Sequence, residues 1–177
     1  MKTILLTAAA SLVGLTGVAS AESIAVSAGI PAYCDVSLAN GSSNTVSIAM
    51  EATQTLANFD VACNAGGGAE LRLEVSNADF QHATNSNILV NYAAELRSPE
   101  LPALGIAERD FSPGPGQVAT TSAPYSSTLA GGVAVSLWVN MNVDAPGPTA
   151  NGQTWFRATN APAGTYNETF ALTVSAL

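Results

Sequence analysis

Apolar and polar residues alternate along most of this chain, and nowhere do they recur with a sustained helical period. The cleanest run is 133–143, where Val133, Val135, Leu137, Val139, Met141 and Val143 share one face. Ala134, Ser136, Trp138, Asn140 and Asn142 share the other. A period of two sends successive side chains to opposite faces of a strand, so this run predicts a strand buried on one side. The last residues repeat the pattern, with Phe170, Leu172, Val174 and Ala176 opposite Thr169, Thr173 and Ser175, after a turn at Pro162 and Gly164. A strand of this kind at the end of the sequence needs neighbours from elsewhere in the chain, or from another chain.

Shorter strands are expected between turn signals: Val36 and Leu38 up to Asn40-Gly41, then Val46, Ile48 and Met50, then Phe59, Val61 and Cys63. Leu71, Leu73 and Val75 follow the run Gly66-Gly67-Gly68. No lysine follows those glycines and a strand comes next, so they read as a hairpin and not as a phosphate cradle. Ile88, Val90 and Tyr92 give another strand, and Trp155 to Arg157 a short one after Asn151-Gly152. Between Arg97 and Gly132, Pro99, Pro102, Pro113 and Pro115 predict a long irregular connection with one short strand near Gln117 to Thr121. Seven to nine short strands with Pro/Gly turns make an all-β, immunoglobulin-like antiparallel β-sandwich.

The first 21 residues lie outside that fold. Lys2, an apolar run from Ile4 to about Val13, and the small residues Ala19-Ser20-Ala21 form a signal peptide with cleavage after Ala21. The run is too short and too interrupted for a transmembrane anchor, and no later segment has the length to span a bilayer. An exported protein is expected, with no membrane insertion of the mature chain.

Charge narrows the partners. Five basic residues and thirteen acids give −8; removal of Lys2 leaves four arginines and a net charge of −9. Such a chain repels nucleic acid and anionic lipid. Cys34 and Cys63, two cysteines in an exported chain, are expected to form one disulfide; with a single histidine, His82, they do not make a zinc set.

Candidate chemistry is sparse. His82 lies in a polar Gln-His-Ala-Thr-Asn stretch and reads as a surface loop residue, and no Gly-x-Ser-x-Gly elbow frames a serine, so an enzyme is not expected. Glu95, Glu100, Glu108 and Asp110 lack the framing of a calcium loop or a glycosidase pair and read as acids of a solvated insert. No cofactor or metal is called for. Trp138 among asparagines is either a sugar-stacking platform or a ring covered by the 97–132 connection. Residues 22–33 carry Ile24, Val26, Ala28 and Ile30 on one face before Pro31 ends the ladder. They form either the first strand of the sandwich or a strand offered to another molecule.

Four features together resemble a known family: the signal peptide, the apolar stretch before Cys34, the second cysteine within Phe59-Asp60-Val61-Ala62-Cys63, and the ending Ala163-Gly164-Thr165-Tyr166-Asn167-Glu168-Thr169. They look like the spore coat protein U / chaperone–usher pilin group. Glu168 stands where that group often has Asp, the terminal Ser175-Ala176-Leu177 lacks a frequent aromatic, and the mid-chain insert is longer. The resemblance implies a pilin-type sandwich (34–177) that is incomplete and is completed by donor-strand exchange with the N-terminal extension (22–33) of the next subunit. Ile24, Val26, Ala28 and Ile30 would be the donor residues. Phe170, Leu172 and Val174 would line the acceptor groove, and Leu177 would join them in gripping a periplasmic chaperone. Implied partners are copies of itself or related pilin subunits, that chaperone and an outer-membrane usher. The location implied is the periplasm in transit, then the cell surface or fimbrium. A self-contained secreted binding module is the other reading.

Overall fold

The computed structural model describes residues 29–39, 45–48, 52–112, 114–145 and 152–177. The chain divides into two units, Met1–Ile30 and Pro31–Leu177, and every strand among the described residues belongs to the second. Residues 1–21, expected to be a signal peptide, and Ile24, Val26 and Ala28 lie outside the described residues.

The fold is all-β and almost wholly antiparallel. In chain order the strands are β1 (Cys34–Leu38), β2 (Thr53–Cys63), β3 (Ala69–Val75), β4 (Phe80–His82), β5 (Asn85–Val90), β6 (Ala93–Arg97), β7 (Ile106–Asp110) and β8 (Gln117–Ala123). A one-turn helix, α1 (Ser127–Gly131), precedes β9 (Val133–Asn140), β10 (Thr154–Phe156), β11 (Tyr166–Asn167) and β12 (Phe170–Ala176). They build a five-stranded sheet β1-β2-β9-β6-β7, a three-stranded sheet β12-β3-β8 and a small sheet β10-β5-β4-β11. Only the β10–β5 pair is parallel.

The period of two becomes burial. On β9, Val133, Val135, Leu137 and Val139 are buried while Ala134 is exposed and Trp138 half-buried; on β3, Ala69, Leu71, Leu73 and Val75 are buried and Arg72 is exposed. These rows meet in one apolar core with Ala57, Phe59 and Val61 of β2. Fully burying a side chain of this size contributes about 1.5–3 kcal/mol, which is why the alternation fixes register so firmly. Cys34 and Cys63 face each other across the β1–β2 ladder and are disulfide-bonded, as expected. Closing that loop restrains the unfolded chain by roughly 3.6 kcal/mol in the loop-entropy account.

Several expectations change. The Gly66–Gly68 run is not a hairpin: β2 and β3 belong to different sheets, and the chain crosses between them there. Gly68 takes φ 101°, and a Cβ on it would overlap the Ala123 carbonyl and Pro124, so glycine is required by the crossing. Val46 and Ile48 alternate but form no strand; the Gln54 side-chain amide takes both main-chain groups of Ser47, at 2.9 Å each, where a ladder partner would have been. The 97–132 connection is ordered by β7, a 3-10 turn at Pro102–Leu104, β8 and α1, whose N-cap is Ser126. His82 is the last residue of β4 instead of a loop residue, with its ring edge-on to Tyr166 at 5.0 Å.

Candidate functional site

β12 pairs antiparallel with β3 over its whole length, Phe170 opposite Val75 through Ala176 opposite Ala69. Among the described residues its other side carries no ladder, and β1 likewise pairs only with β2. The two free edges lie beside each other, bridging neither sheet to the other by main-chain bonds. Burial records the consequence. Val75, Leu73 and Leu71 are fully buried, whereas their cross-strand neighbours Phe170, Leu172 and Val174 are only half-buried on the same face. Across the seam, Val61 is fully buried but its neighbour Val36 is half-buried, and Leu38, opposite Phe59, is 44% exposed.

Toward Leu38 and Phe170 the seam widens into a groove of about 890 Å³. Its floor is apolar, made by Ala57, Phe59, Phe80 and Leu137, and Val46 and Ile48 flank it. The opposite wall is the stretch from Ala158 to Phe170. Two contacts hold that wall. Ala83 N–H donates to the Thr165 carbonyl at 2.8 Å, and Gly164 packs so closely on the His82 imidazole that a Cβ there would push the ring aside.

Glu168 is the one charged residue in the described lining, and its carboxylate is fully engaged. Ser76 Oγ donates to Oε1 at 2.7 Å, the Asn77 N–H at 3.0 Å and the Thr169 N–H at 2.6 Å, and Tyr92 Oη donates to Oε2 at 3.4 Å. Glu168 therefore ties the start of β12 to the end of β3. Tyr92 is buried and stacks against Phe80 and Phe170 at 5.0 and 5.5 Å. Burial, then the negative Glu168, drive its phenol well above the usual tyrosine range, so it stays a donor.

Of the anticipated site residues, the structure brings Phe170, Leu172 and Val174 together on the seam face of β12. Leu177 is exposed, and its N–H donates to the Gly68 carbonyl at 3.1 Å. Ile30 is 87% exposed; Ile24, Val26 and Ala28 cannot be placed beside it, lying outside the described residues. Trp138 stands on the outer face of β9 with the Arg97 guanidinium 4.4 Å from its ring, and Arg97 is itself paired with Glu95. Glu95, Glu108 and Asp110 sit on β6 and β7 and not in a loose insert. Among the described residues no three His, Cys, Asp or Glu side chains are grouped to hold a metal ion.

Sequence reasoning missed the polar anchoring of the groove. Asp79, 1% exposed, accepts hydrogen bonds on Oδ2 from Trp155 Nε1 at 2.8 Å and Ser112 Oγ at 3.2 Å. Periodicity cannot flag it, because Asp79 lies in the turn between β3 and β4, next to Ala78 at φ 68°. What the site can do chemically is bind an extended apolar segment: two unpaired edges offer main-chain groups and the groove offers a dry floor.

The chain matches no family model, no curated protein and no solved structure.

Proposed function

We propose that this protein is a structural subunit of an exported surface fibre or coat, a pilin-type immunoglobulin-like sandwich assembled head-to-tail by strand donation, serving adhesion or biofilm formation. The observation that carries this reading is the seam between β1 and β12, where core-facing residues of both strands stay half-buried and no main-chain ladder joins the edges. A strand entering where the seam widens and parting the two edges, which lie within 8 Å of each other in places, would pair with both and cover Val36, Phe170, Leu172 and Val174. Completing the burial of each is worth about 1 kcal/mol, roughly half the value for a whole side chain. Donor and acceptor are different surfaces, so the contact propagates into an open fibre.

In this reading the donor is residues 22–33 of the next copy or of a related subunit, with Ile24, Val26, Ala28 and Ile30 facing the core. A periplasmic chaperone covers the groove before an outer-membrane usher passes the subunit on. The disulfide fits an oxidising compartment, and among the described residues no helix is long and apolar enough to cross a membrane. The binding-module alternative, in which Trp138 or the 97–132 connection would contact a ligand, draws less support at Trp138, whose ring already carries Arg97 on one face.

The test is Ile24→Asp with Val26→Asp in the full chain. Assembly into denaturant-resistant ladders is expected to stop while export and the Cys34–Cys63 bridge persist. Ladders of normal length from the double variant would sink the proposal.

A further inference from the structure

Asp79 occupies a position that an ionised carboxylate fills badly. Its Oδ2 accepts from Trp155 and Ser112, yet its Oδ1 is buried with no partner. The titratable groups facing it are acidic or neutral: Asp110 at the end of β7, Glu168 before β12, and Tyr92 between β5 and β6. The basic side chains on neighbouring stretches have partners of their own. Arg157 reaches Asn142 at 3.0 Å and Asp144 at 3.2 Å, Arg109 lies over the Phe111 ring, and His82 meets Tyr166 and the Ala163 carbonyl.

A buried carboxyl with one orphaned oxygen among other acids is most stable neutral, because its ionised form would hold a poorly solvated charge beside Asp110 and Glu168. We infer that Asp79 is a proton-operated latch: neutral, it can stay buried beside Trp155 and so lets β10 and the Ala158–Thr165 wall of the groove pack against the turn that enters β4, whereas ionised it puts an uncompensated charge there. Burial pushes this carboxyl up to about 7, with Asp110 and Glu168 adding to the rise and the bonds from Trp155 and Ser112 opposing it.

The sign follows from proton linkage. In the unfolded chain the group ionises near 3.8, in the fold near 7, so between those values the fold holds the extra proton. The latch's contribution is complete in acid, declines as pH rises through that window and is gone above it. That the wall it steadies is a binding wall rests on the proposed function; the latch itself does not, and the experiment reads the latch alone.

Trp138→Phe leaves Trp155 as the sole tryptophan of the full chain, because the sequence has two. Its emission is to be followed from pH 4 to 9 together with the carboxyl carbon resonance of Asp79. Both are expected to titrate together near 7, and Asp79→Asn should abolish the emission change and flatten the fall in melting temperature over that range. Trp155→Phe, which removes a donor to the charged form, should move the Asp79 resonance midpoint upward. An Asp79 resonance titrating near 4 in the otherwise unaltered chain would overturn the latch whether or not the variants fold. So would an emission change that persists in Asp79→Asn.

Discussion

The two seams of this molecule are built from the same kinds of strand and end in opposite states. One runs between β7 and β8, where the five-stranded and three-stranded sheets also have free edges. There the chain closes the gap: the 3-10 turn at Pro102–Leu104 sits over it, Thr121 Oγ1 donates to the Ala103 carbonyl at 2.8 Å, and Leu104 and Phe111 are buried to about one part in a hundred or less. At the seam between β1 and β12 no such segment arrives among the described residues, and the equivalent core-facing side chains stay half in water. A proline-rich connection that reads as an irregular insert is thus the seal of one seam. Among the described residues no such segment covers the other, and the groove lies there.

Substitutions can sharpen that contrast. Leu104→Ala, at the sealed seam, should lower unfolding free energy by about 2–5 kcal/mol in denaturant titration, because it leaves a cavity in a closed core. Leu172→Ala should cost the unassembled full chain only about 1–2 kcal/mol, since half of the side chain's transfer to a dry core has not yet happened. Equal costs would mean that the β1–β12 seam is as closed as the other. Smaller is Thr121→Val, which removes the hydrogen bond to Ala103 and should cost about 0.5–1.5 kcal/mol while raising amide exchange in β8 but not in β12. Matching exchange changes in β12 would show that the two seams are coupled.

Much of the fold is legible in the alternation. The long runs at 133–143 and 170–176 foretell β9 and β12, because burial on one face leaves a period of two, and Cys34 and Cys63 foretell their bridge. Short strands leave weaker ones. β7 reads Ile-Ala-Glu-Arg-Asp, with one large apolar residue, and in β6 Ala93 and Ala94 are both buried, so neither alternates. Val46 and Ile48 fail in the other direction: they have the period and no ladder, because period names a face and says nothing of whether a neighbouring main chain is there to pair. The shared seam face of Phe170, Leu172 and Val174 follows from sequence, though only Phe170 reaches the groove. The groove's polar anchors do not, for Asp79 and Glu168 act through distant partners, Trp155 and Ser76, that no local pattern brings together.

The claim that matters most is that the β1–β12 seam takes up an external strand. The direct measurement uses the full chain carrying Ile24→Asp and Val26→Asp, so that its own extension cannot compete, with and without a peptide of the natural Glu22–Tyr33 sequence. Melting temperature and residue-resolved amide exchange are recorded. At peptide well above its dissociation constant, stabilisation of about 2.7 kcal/mol should raise the midpoint by roughly 5–10 °C. Exchange should slow along Cys34–Leu38 and Phe170–Ala176 and stay unchanged in Ile106–Asp110 and Gln117–Ala123. A midpoint indifferent to the peptide, or protection spread equally over both seams, would contradict the account.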